Sequence, residues 1–167
     1  SKFNLHQLST GDLLRKEITN KSILGSAISE IINKGELVSD EIVSDLIEKF
    51  ISNKNFENRL IFDGFPRNIK QAINLDKLLK KYNQKIDIVL KLSVSLKTIK
   101  KRILERQMQE NRSDDSEEIA IKRFETYEKS TEPVIEYYKK SKLLKVINGE
   151  GSIDEINVEI SDIIEGI

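Results

Sequence analysis

The 167-residue chain contains no cysteine, only two prolines and no surplus of either charge, since 28 Lys and Arg residues balance 28 Asp and Glu residues. Without cysteine there is neither a disulfide nor a thiolate metal site. Without net charge, no bulk field draws the chain toward nucleic acid or an anionic membrane, so any anion site must be local. No apolar run approaches the length of a membrane span, and no charged-then-apolar segment of the secretory kind opens the chain. A soluble cytoplasmic protein is the simplest expectation. Repeats, low-complexity tracts and proline-rich linkers are also missing, and the length suits one domain with a sizeable core, so residues 1–167 are expected to form a single unit.

What is present is an alternation of patterns. The runs RLIFD (59–63), IDIVLKL (86–92) and LLKVIN (143–148) are short and rich in Ile, Val, Leu and Phe, as expected of parallel strands buried on both faces. FNLHQLS (3–9) is of mixed polarity and is a candidate for one more short strand. Between the strands lie helical stretches. Ile69, Ala72, Ile73, Leu75, Leu78 and Leu79 form one apolar face, and 93–108 and 114–140 read as long, charged helices. This alternation implies an α/β fold with a parallel sheet flanked by helices.

In such folds ligands bind beyond the carboxyl ends of the strands, which is where DGFPR (63–67) lies if RLIF is a strand. Asp63 can orient water around a metal ion, Gly64 lets backbone approach a ligand, Pro66 stiffens the turn and Arg67 can grip a phosphate. A surface turn in which Asp63 hydrogen-bonds local amides explains the same residues. Three other segments bear on the choice. In LSTGDLLRKEI (8–18), Ser9, Thr10 or Asp12 can cap a helix that carries Arg15. In KGELVSDEIVSDLIEKF (34–50), Gly35 breaks one helix and Ser39 caps the next. In 100–130, Arg102 and Arg106 share a helix face, where like charges four apart repel. Arg112 follows in a polar stretch, and Arg123 lies in a helix expected to be capped by Asp114 or Asp115. Each arginine alone reads as a solvated charge; four around one helix, loop and helix are harder to dismiss in that way. The lone His6 reads as a structural or surface residue.

STGDLLR, GELVSDEIV, DGFPRNIKQA, RILER and RSDDSEEIAIKR together resemble the signature segments of the adenylate kinases, within the nucleoside monophosphate kinases, in order and spacing over nearly the whole chain. The resemblance implies a three-layer P-loop kinase-type fold and reversible phosphoryl transfer from ATP to AMP. It implies an AMP segment over about 9–38, with Thr10 and Arg15 on AMP, Glu36, Leu37 and Val38 along the adenosine, and Gly64, Phe65, Pro66, Arg67 and Gln71 completing that site. Gln71 would read the adenine edge. It further implies that Arg102, Arg106 and Gly151 serve ATP, and that Arg112 and Arg123 reach the phosphates bridging both nucleotides. Asp114 and Asp115 would pair with such arginines in a short lid over about 105–115. Magnesium would arrive with ATP, with Asp63 and Asp12 touching it through water; zinc is not expected, nor are nucleic-acid or membrane partners, and a monomer is. Such chemistry asks for positioning and charge stabilisation, and arginine supplies planar, always protonated donors for it.

One family element is absent from these 167 residues: no G-x-x-x-x-G-K stretch occurs, and all seven glycines lie elsewhere. In the resembling fold the strand leading into that loop is central, between the strands at 59–63 and 86–92. The expectation is therefore that two edges are left unpaired, that the chain is poorly stable, and that it has little kinase activity while keeping most of the AMP site. The alternatives are a non-catalytic AMP-binding module, or a kinase for another nucleoside monophosphate.

Overall fold

A computed structural model describes residues 2–20, 23–34, 36–110 and 116–167. Four strands form, β1 (His6–Ser9), β2 (Leu60–Asp63), β3 (Val89–Ser93) and β4 (Leu144–Asn148). β1 pairs with β2 in parallel, His6 opposite Leu60 and Ser9 opposite Asp63. β3 pairs with β4 in parallel, Val89 opposite Leu144 and Ser93 opposite Asn148. Among the described residues the two ladders are not hydrogen-bonded to each other. FNLHQLS thus supplies a strand, and helices connect the strands of each pair, as the alternation predicts.

The strand faces depart from expectation. Burial on both faces is the usual state of parallel strands, yet Ile61 is 42% exposed, Leu92 45% and Val146 59%. The physical reason is the sheet itself: two separate two-stranded ladders cannot shield the faces and edges that a continuous sheet would.

The helices are α1 (Thr10–Thr19), α2 (Ile23–Asn33), α3 (Asp40–Ile51), α4 (Ile69–Lys81), α5 (Leu96–Glu110), α6 (Glu117–Thr126), α7 (Glu132–Lys140) and α8 (Ile153–Glu165). Their starts follow capping chemistry. Ser9 accepts from the Asp12 amide, Ser39 from that of Ile42, and Asn68 from that of Gln71. The cap of α6 is Ser116, which accepts from the Ile119 amide, in place of the expected Asp114 or Asp115; those two aspartates lie outside the described residues. The stretch expected as one helix over 114–140 contains a π-helical turn, Tyr127–Thr131, between α6 and α7.

Two apolar cores result. The first joins Leu8, Leu14, Ile28, Val43, Ile47, Ile51, Leu75 and Leu79, burying one side of β1, α1, α3 and α4. The second is smaller, with Ala72, Val134 and Tyr138 at its centre. A fully buried Leu or Ile contributes about 1.5–3 kcal/mol relative to exposure, so the first core dominates. α4 serves both, presenting Leu75 and Leu79 to one and Ala72 to the other. His6 stacks on Phe56 with ring centroids 4.2 Å apart and lies 6.1 Å from Phe50, which gives it a structural role.

Candidate functional site

The ends of β1 and β2 open together, because Ser9 and Asp63 are register partners. α1 starts immediately after the first, and the β2–α4 loop follows the second. That loop is held from several directions. Gly64 adopts φ +71°, a conformation that L side chains rarely take. Its carbonyl accepts from Thr10 Oγ1 at 3.0 Å and from Arg67 Nε at 2.7 Å. The Arg67 amide donates to Gln71 Oε1 at 2.7 Å, and Thr131 Oγ1 donates to the Arg67 carbonyl at 2.9 Å. The peptide between Phe65 and Pro66 is cis. Phe65 itself points into the first core, 5% exposed.

A cleft of about 350 Å³ lies above this loop. Arg15 from α1, Arg67 from the loop, Arg106 from α5 and Arg123 from α6 all line it. Thr10, Asp12, Asp63, Gly64 and Gln71 contribute to its floor, and Glu36, Leu37 and Val38 to one wall. Two guanidinium groups rest against glycine backbone. A Cβ on Gly11 would meet Arg15 Nη2 at 3.1 Å, and one on Gly64 would meet Arg67 Nη2 at 2.9 Å. The glycines are thus the space in which the arginines lie.

The electrostatics are those of a cation cluster with a few counter-charges. Burial lowers the Arg67 pKa first, and the positive charges of Arg123 and then Arg15 push it the same way, while Asp63 opposes them. Arginine nonetheless stays protonated. Asp12 forms an ion pair with Arg15, and Asp63 Oδ2 accepts from Gln7 Nε2 at 2.8 Å. A site built this way attracts a multiply charged anion with planar, fork-shaped donors.

Arg102 lies outside the cleft lining; its Nη2 donates to the Gly151 carbonyl at 3.1 Å, so these two residues meet each other. Pro66 is likewise not part of the lining, and Arg112, Asp114 and Asp115 lie outside the described residues. Gln7, Gly11, Leu14, Ile32 and Val43 line the cleft although none of them was named as a site residue from the sequence. Leu14 and Val43 carried a signal in hindsight, as apolar positions on helices that begin next to the loop. No cluster of three or more His, Cys, Asp or Glu residues able to hold a metal occurs among the described residues. Asp12 and Asp63 both line the cleft, and carboxylates of this kind could contact a hydrated magnesium ion through water.

The family pattern described as adenylate kinase matches residues 1–143. The adenylate kinase of Pelagibacter ubique (strain HTCC1062) is 40% identical over 190 residues, covering 98% of this chain and 89% of that protein. That of Prochlorococcus marinus (strain NATL2A) is 43% identical over 155 residues, covering 93% and 82%. A Xanthomonas campestris pv. campestris (strain B100) adenylate kinase is 41% identical over 154 residues, covering 92% and 82%. Similarity of this extent, over a parallel α/β fold with arginines gathered beyond its strands, assigns the chain to the adenylate kinase family.

Proposed function

We propose that the cleft binds AMP, with its phosphate among Arg15, Arg67 and Arg123 and its base against Gln71 and the wall of Glu36, Leu37 and Val38. The family moves phosphoryl groups between adenine nucleotides, and in this reading Arg106 and Arg123 lie where the phosphates of ATP and AMP meet, joined by Arg112 from a short lid over about 105–115. Arg102 and Gly151 belong to the ATP side. The observation that carries the reading is the gathering of four arginines from four separate elements in one cleft, close enough for two of them to depress the pKa of a third. Cations are brought together at a cost unless an anion is to join them.

Magnesium bound with ATP neutralises phosphate charge; Asp63 and Asp12 would hold its waters. The protein's part is to fix the acceptor phosphate, to stabilise charge and to exclude water when the arginine-bearing segments close. No protein base is required.

By themselves these 167 residues contain no G-x-x-x-x-G-K stretch, so the reading for this chain is AMP binding with little turnover. The test is a pair of measurements on it: calorimetric titration with AMP, and a coupled assay of ADP formation from ATP and AMP. Saturable 1:1 AMP binding with turnover far below that of the relatives is expected. Absent AMP binding overturns the site; family-like turnover overturns the impairment. Replacing AMP by UMP, CMP or GMP in the same titration tests the rival acceptors.

A further inference from the structure

Gln71 is 2% exposed and forms part of the cleft floor, yet both ends of its side-chain amide are already engaged. Its Oε1 accepts from the Arg67 amide at 2.7 Å, and its Nε2 donates to Asp40 Oδ1 at 2.9 Å. The same Asp40 oxygen accepts from Asn68 Nδ2 at 2.8 Å, while Asn68 Oδ1 accepts from the Gln71 amide at 2.8 Å. Asp40 is the first residue of α3 and Asn68 the cap of α4, so a single carboxylate ties two helix starts to one glutamine.

A glutamine amide is nearly symmetric in shape and opposite in sense at its two ends. Rotating this one by half a turn would set Oε1 against the Asp40 carboxylate and Nε2 against the Arg67 N–H, acceptor on acceptor and donor on donor. Neither Asp40, which has only acceptors when ionised, nor a backbone N–H, which only donates, can adapt. The amide is therefore locked, with one lone pair of Oε1 and one hydrogen of Nε2 left over in fixed order. A 6-aminopurine presents a donor at N6 and an acceptor at N1, which matches that order. A 6-oxopurine presents an acceptor at O6 and a donor at N1–H and needs the reverse.

We infer that Asp40 is a specificity-determining positioning residue: it holds the Gln71 amide in the one sense that accepts a 6-aminopurine monophosphate and rejects its 6-oxo counterpart. This deepens the AMP reading and rests on it. Asp40 does not touch the nucleotide; it acts by denying Gln71 its alternative orientation.

The test titrates the chain and its Asp40→Ala and Asp40→Asn variants with AMP and with inosine monophosphate, alongside circular dichroism melts of each. The parent should prefer AMP. Asp40→Ala removes one of the two groups that fix the Gln71 amide, leaving the Arg67 N–H alone to oppose the turned orientation, and should shrink the ratio of the two dissociation constants by about fivefold or more, largely through tighter inosine monophosphate binding. Asp40→Asn keeps one acceptor oxygen and should fall between the two; if Asp40→Ala does not fold, that intermediate ratio decides. A purely structural role would lower melting temperature without moving the ratio, and an unchanged ratio in the folded variants overturns the inference while leaving the AMP site standing. Failure of the parent to bind either nucleotide overturns the AMP reading and this inference together.

Discussion

Thr10 Oγ1 lies 3.0 Å from the Gly64 carbonyl oxygen, to which it donates a hydrogen bond, and 3.0 Å from where a Cβ on Gly64 would stand. The same hypothetical Cβ meets Arg67 Nη2 at 2.9 Å, and the backbone there has φ +71°. Gly64→Ala therefore combines left-handed strain, about 1–2 kcal/mol, with displacement of two cleft side chains. A lowered urea midpoint and weakened AMP binding together are expected; binding unchanged within twofold would show that the loop tolerates a side chain.

Arg123 lowers the Arg67 pKa, so the two repel when no anion lies between them. Arg123→Ala relieves that repulsion while removing a charged donor worth about 1.5–3 kcal/mol to a bound phosphate. AMP affinity should drop roughly tenfold to a hundredfold, with a much smaller change in the melting temperature of the free protein. Equal losses in both would assign Arg123 a structural role instead.

Gln84 ties three segments. Its Oε1 accepts from the Asn58 amide at 3.1 Å and its Nε2 donates to the Ile51 carbonyl at 2.9 Å, at 9% exposure. Gln84→Ala removes both bonds, the buried one to the Ile51 carbonyl included, and should cost about 1–3 kcal/mol. Tyr138 supplies the contrast: at 3% exposure, its hydroxyl has no hydrogen-bond partner among the described residues. Tyr138→Phe is expected to leave stability unchanged or raise it, and equilibrium urea unfolding of the two variants should separate them in opposite directions.

The Glu150 carboxylate accepts from Thr98 Oγ1 at 2.6 Å and from the Ser95 amide at 2.5 Å, next to Arg102. These hydrogen bonds, the one from Thr98 foremost, hold its pKa below the ordinary 4.5. A carboxylate whose folded pKa is depressed adds stability that is complete above its unfolded value and is lost as pH falls through the folded one. Melting temperature should therefore decline on acidification below pH 4.5, and less steeply in Glu150→Gln. Parallel pH profiles for the two proteins would remove Glu150 from the account.

Much of the site was legible because local chemistry marks it. Ser9 and Ser39 cap helices, Gly64 permits a turn that other residues resist, and Arg67 follows the strand end where parallel folds bind ligands. The convergence of Arg15, Arg67, Arg106 and Arg123 could be expected only from resemblance to a family, since they span 109 positions of the sequence. Asp40 escaped notice for a related reason. At a helix start an aspartate is explained by the dipole alone, and its grip on Gln71, 31 residues away, exists only once α3 and α4 are packed. The exposure of Ile61, Leu92 and Val146 does not show in their own apolar runs, which report what a strand can bury, but it accords with the two strand edges expected to be left unpaired.

α4 carries leucines into one apolar centre and an alanine into the other, while the strand pairs on its two sides share no backbone hydrogen bonds. Mechanically, it is an axle on which the two apolar centres are mounted. Amide exchange should divide the molecule accordingly, with α4 protected longest and each strand pair opening on its own schedule, so that damage to one half need not be felt by the other.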